Sequence, residues 1–119
     1  MADQTNQRRD FPRYDTDVLA TLTSRSMTIA VRMLSVSAGG TLVRMDRLSA
    51  KVFDEDEFLI EITGIGRFSA SRKWRRDTDI GAKFDLSDGD RAKLATRLAD
   101  RFGRHRTHMT RLAVNSPQL

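Results

Sequence analysis

The sequence predicts an all-β domain, a small sandwich or barrel of six short strands followed by one C-terminal α-helix. Three observations carry that expectation. Between residues 18 and 85, apolar and polar residues alternate with a period of two in short runs separated by turn-forming residues. After Phe84 the apolar spacing changes to three and four, the period of a helix face. The chain has 119 residues, 39% hydrophobic and 31% charged, which suits one hydrophobic core rather than two cores or a disordered chain.

The elements follow in order. "VLATLT" (18–23) opens the alternation, and "SRS" (24–26) is short enough for a hairpin turn. In "MTIAVRML" (27–34), Ile29, Val31 and Met33 fall on one face, with Ala30 and Arg32 on the other. "TLVRM" (41–45) follows a glycine pair, and "EFLIEITGIG" (57–66) follows the acidic turn "DEDE" (54–57). "RFSASRKWRR" (67–76) places Phe68, Ala70 and Trp74 at even positions, and "DIGAKFD" (79–85) alternates Ile80, Ala82 and Phe84. Ser87, three residues before Asp90, is a helix-start signal. Leu94, Ala95, Leu98, Ala99 and Phe102 then form the apolar stripe of a helix over about 88–102, with Gly103 as its stop. Residues 1–7 are expected to be a flexible polar tail, residues 8–103 the folded domain, and residues 104–119 a basic tail.

Composition excludes several kinds of chemistry. Without cysteine there is no disulfide framework, thiolate metal site or cysteine nucleophile. His105 and His108 stand three apart among arginines, with no acidic ligand near them in sequence, so no metal site is expected. No nucleophile elbow, Walker loop or dinucleotide glycine fingerprint occurs, and an enzyme is not expected. No apolar run approaches the roughly 20 residues that span a bilayer, and "MADQTNQ" is not a signal peptide. No membrane insertion is expected, and a cytoplasmic location is. The formal charge of +5, mostly arginine, favours an anionic partner recognised by planar, bidentate contacts. Trp74 reads as a core or rim residue, with ligand stacking as its alternative.

Two segments stand apart. "RRDFPRY" (8–14) crowds Arg8, Arg9 and Arg13 ahead of the first regular alternation, a repulsive arrangement that an anion would relieve. "SVSAGG" (35–40) ends an apolar alternation with two hydroxyls and two glycines, so the backbone should turn sharply and leave amides accessible.

Together these segments resemble the two signature elements of PilZ domains. Arg9 and Arg13 match the RxxxR element, Ser37 and Gly40 match the [D/N]xSxxG element, and residues 79–94 resemble the closing strand and helix of that family. The resemblance spans about Arg8 to Phe102. It implies a six-stranded antiparallel barrel with a C-terminal helix, and a site for cyclic di-GMP formed by Arg8, Arg9, Arg13, Ser35, Ser37 and Gly40. It also implies that the domain needs no cofactor. The chain departs from the pattern at Ser35, where the family has Asp or Asn. A serine hydroxyl is shorter and accepts less, a loss on the order of 1 kcal/mol per hydrogen bond. Arg8, directly before the RxxxR element, resembles members that hold an intercalated pair of dinucleotides.

The implied function is a non-enzymatic receptor that relays the messenger to an unidentified protein partner in motility or surface-polymer control. The alternative is a degenerate PilZ adaptor that binds no cyclic di-GMP. Nucleic-acid binding would require aromatics on an exposed sheet face, and 7% aromatic residues, mostly at core-like positions, make a thin platform.

Overall fold

In the computed structural model, residues 11–103 are described. Six strands form a closed barrel: β1 Tyr14–Thr23, β2 Thr28–Val36, β3 Gly40–Arg44, β4 Glu57–Ile62, β5 Gly66–Arg76 and β6 Asp79–Phe84. All neighbours are antiparallel, in the order β1-β2-β3-β6-β5-β4, and β1 pairs with β4 to complete the cylinder. Closure leaves no edge strand. The barrel with a C-terminal helix is the architecture expected from the sequence.

The interior is filled by inward-facing side chains. Leu22, Met33, Val43, Ile60, Ile80 and Phe84 are wholly inaccessible to solvent. The period of two produces this on β2, where Ile29, Val31 and Met33 are buried while Ala30 and Arg32 are exposed. A packed core of this kind has no lumen for a ligand. Any binding site must lie on the outer surface.

Three bulges interrupt the alternation, one of them in the β2–β3 pairing between Met33 and Ser35. β1 begins at Tyr14, four residues before the expected start at Val18, because Tyr14 and Asp15 pair with Val36 and Ser35. A bulge between Asp15 and Val18 breaks the pattern and hides this extension from periodicity. In β5 another bulge falls between Arg72 and Trp74. It reverses the phase of everything beyond it, so Trp74 does not share the inward face of Ala70. Trp74 lies on the outer surface at 46% exposure.

The helix α1 (Arg47–Val52) was not expected. At six residues it is too short to show a periodic stripe, and its start is set by one cap: the Asp46 carboxylate accepts from the Ser49 amide at 2.7 Å. That hydrogen bond holds the Asp46 carboxyl below its ordinary pKa. Arg75, brought round by the β5 bulge, donates to the carbonyls of Ala50 and Phe53 and ties α1 to the barrel.

At the other end of the barrel sits α2 (Asp88–Leu98), capped by the Ser87 hydroxyl accepting from the Asp90 amide at 3.1 Å. It continues into a π-helical turn, Ala99–Gly103. Leu94, Leu98 and Phe102 are its buried stripe, and the Phe102 ring packs 6.4 Å from Tyr14 at the start of β1. The helix thus buttresses the residue that follows Arg13.

Replacing Arg75 by methionine should free α1 while leaving the barrel intact. Hydrogen exchange at the Ala50 and Phe53 amides, bonded within α1 to Asp46 and Ser49, should accelerate at least about tenfold with no change at β2 or β6 amides.

Candidate functional site

The site grows from the β1–β2 pairing. Arg13 stands at the mouth of β1, and Nη1 of its guanidinium donates to the Ser35 hydroxyl at 3.1 Å. A bulge between Met33 and Ser35 in the β2–β3 pairing shifts the phase, so that Val36 faces the interior and Ser35 the outer surface, where it is only 7% exposed. Arg13 itself is exposed. A guanidinium has five donors in a fixed fork, and the bond to the Ser35 hydroxyl anchors that fork at the head of β1. Thr41 donates to the Ser35 carbonyl at 2.7 Å and so fixes the strand beneath that hydroxyl. Among the expected site residues, Arg13 and Ser35 are therefore in contact. Arg8 and Arg9 lie outside the described residues.

Ser37 and Gly40 close the β2–β3 turn. They exchange backbone hydrogen bonds, Ser37 N–H to Gly40 carbonyl at 2.8 Å and Gly40 N–H to Ser37 carbonyl at 3.3 Å. The Ser37 hydroxyl accepts from the Gly39 amide at 3.2 Å. The amides expected to be accessible are thus engaged at Ser37, Gly39 and Gly40, which corrects that part of the sequence reading. The turn is so short that its polar groups satisfy one another. Gly40 has a packing reason for its identity: a Cβ there would lie 2.3 Å from the Ala82 carbonyl oxygen of β6. Only glycine lets β3 approach β6 this closely.

From Ser35 a row of paired residues runs across the outer face. Asp15 pairs with Ser35, Ser35 with Leu42, Leu42 with Gly81, and Gly81 with Trp74. The Trp74 indole packs against Gly81, its Cε2 and Nε1 atoms 2.3 Å from where a Cβ would stand. Three strand spacings of about 4.8 Å separate Ser35 from Trp74, roughly 14 Å along the sheet. The result is a shelf with a cation at one end, an aromatic plate at the other and only Leu42 and a bare backbone between. Arg44 and Asp79 stand further along the same two strands as an ion pair at 2.7 Å. Hydrogen bonding to Arg44 holds the Asp79 carboxyl below its usual range.

The place of Trp74 on this shelf is what periodicity missed. The bulge absorbs one residue, since Ala70–Arg76 of β5, seven residues, lies against the six of Asp79–Phe84.

A surface cleft of about 790 Å³ lies elsewhere. It is lined by Asp54, Glu55, Asp56, Glu57 and Asp85 with Arg25 as a cation. Five carboxylates repel an anion, so this cleft is not a second candidate for the same ligand. Among the described residues, no group of histidines and carboxylates is placed to hold a metal, and no helix is long and apolar enough to cross a membrane.

This arrangement, a closed barrel with a signature turn and an arginine at the mouth of its first strand, is the PilZ-type fold. Solved structures establish it. The PilZ domain of YcgR from Escherichia coli, solved with c-di-GMP, aligns over 87% of this chain and 98% of its own, with a TM-score of 0.63 and 15% identity. The PilZ domain of CeSA from a cellulose-synthesizing bacterium aligns over 73% of this chain and 93% of its own, with a TM-score of 0.55 and 11% identity. An uncharacterized Legionella protein aligns over 83% and 98%, with a TM-score of 0.56 and 15% identity. No family model and no curated protein matches the sequence.

Gly40→Ala should destabilise the domain by about 1–3 kcal/mol, since the obstructing atom is backbone and cannot rotate away. Urea unfolding checks this, with Gly39→Ala as the control, because a Cβ at Gly39 meets only the Ser37 hydroxyl at an ordinary 3.7 Å.

Proposed function

We propose that the chain is a non-enzymatic receptor for cyclic di-GMP, acting in the cytoplasm and relaying the messenger to a protein partner in motility or surface-polymer control. One observation carries this reading: the Arg13 guanidinium rests on the buried Ser35 hydroxyl at the head of a shelf that ends in Trp74. Each guanine presents O6 and N7 as adjacent acceptors, and a guanidinium fork fits that edge or a phosphate, for about 1–3 kcal/mol. Between Arg13 and Trp74 the shelf carries only Leu42 and Gly81 in register, and stacking of a base on an aromatic adds about 1–3 kcal/mol. Arg8 and Arg9 supply two further cations from the residues just before Arg13. Ser37 and Gly40 contribute by setting the turn, and Ser35 by orienting Arg13. The fold shared with the YcgR PilZ domain, which was solved with c-di-GMP, supports the same reading.

The competing reading, an adaptor that binds no nucleotide, draws on Ser35, whose hydroxyl is already engaged by Arg13. Titration separates the two. Trp74 is the one tryptophan of the chain, so its fluorescence reports directly on the shelf. Cyclic di-GMP should change that emission saturably, while GTP and single-stranded DNA should not. Calorimetry should show Arg13→Ala weakening binding by about tenfold or more without unfolding the barrel. Wild-type affinity in Arg13→Ala would reject the site, and no binding by the wild type would favour the adaptor.

Stoichiometry tests Arg8. A stacked pair of dinucleotides carries four negative charges, and three arginines within residues 8–13 are suited to that load. Calorimetry should give two ligands per chain at saturation, shifting toward one in Arg8→Leu, with affinity falling as salt is added.

A further inference from the structure

Asp15 has no evident structural task. It is exposed, and its carboxylate makes no hydrogen bond or ion pair with another described residue. The next acidic residue along the strand, Asp17, is bound by Arg32 at 2.8 Å. Yet Asp15 occupies a particular place. It pairs with Ser35 across the β1–β2 ladder, where opposed Cβ atoms lie about 4.5–5.5 Å apart. It also sits two residues after Arg13 on extended chain, so both point to the same side, about 7 Å apart. A cation and a carboxylate therefore flank the buried hydroxyl of Ser35.

We propose that Asp15 is a specificity residue that accepts from the guanine N1–H and N2–H donors while Arg13 engages the O6 and N7 acceptors of a guanine. This rests on the cyclic di-GMP reading and deepens it. Guanine presents acceptors on one edge and two adjacent donors on the next, so complete recognition needs a cation and a carboxylate at separate places. Ser35 cannot supply the second: its one hydroxyl is short and already accepts from Arg13. A carboxylate has two oxygens and can take both donors at once. Adenine has an acceptor at N1 and no amine at C2, so the same carboxylate would repel it.

The sign of the effect separates this role from a bystander charge. A carboxylate that merely stands near a dianion weakens its binding, so its removal would tighten every anionic ligand. A carboxylate that accepts from guanine strengthens cyclic di-GMP alone. The test is calorimetric titration of the full chain and of Asp15→Ala with cyclic di-GMP and with cyclic di-AMP, with thermal melting as a check on folding. Asp15→Ala should weaken cyclic di-GMP by about tenfold or more and narrow its preference over cyclic di-AMP by a similar factor. Asp15→Glu should restore part of that preference. Equal or tighter cyclic di-GMP binding in Asp15→Ala would overturn the assignment and leave the receptor reading standing. A wild type that binds neither dinucleotide would end both.

Discussion

Closure of the sheet around a filled interior is the constraint on which the remaining structure depends. The pairing of β1 with β4 turns a six-stranded ribbon into a cylinder, and side chains such as Leu22, Met33, Ile60 and Phe84 leave no lumen inside it. Burial on this scale, at roughly 25 cal/mol per Å² of apolar surface, fixes the register of every strand, because a slip of one residue would expose the inward set. Function is displaced to the outside as a result. The shelf from Arg13 to Trp74 exists because strand register places Ser35, Leu42, Gly81 and Trp74 side by side.

Local departures from regularity shape that shelf. The bulge in β1 ends the outward run at Asp15, and the bulge in β5 turns Trp74 out of the interior phase and Arg75 toward α1. Gly40 and Gly81 each leave out a side chain for a different reason. Gly40 admits the backbone of β6, and Gly81 admits the indole of Trp74. The end helix contributes through Phe102, whose ring packs on Tyr14 and so steadies the residue next to Arg13.

Much of this was legible in the sequence. Period-two alternation located all six strands, and the change of period with Ser87 as a cap located α2. The two short signature segments pointed to Arg13 and Ser35, which the fold brings into contact over 22 residues of separation. What stayed hidden has physical causes. A bulge shifts phase without leaving a mark on composition, so Trp74 read as a core or rim residue with ligand stacking only as its alternative. Helix α1 is too short for a stripe. The turn amides looked available because sequence does not reveal that Ser37 and Gly40 would bond to each other. Arg8 and Arg9 belong to residues outside those described, and their part in the site rests on the signature alone.

The most direct test is residue-resolved mapping of ligand contact by amide and indole NMR shifts during titration with cyclic di-GMP. A receptor working as described should show its largest changes at Asp15, Ser35, Leu42, Gly81 and the Trp74 indole N–H, with the acid-lined cleft around Glu57 unmoved. Changes centred on that cleft, or none anywhere at saturating ligand, would contradict the account.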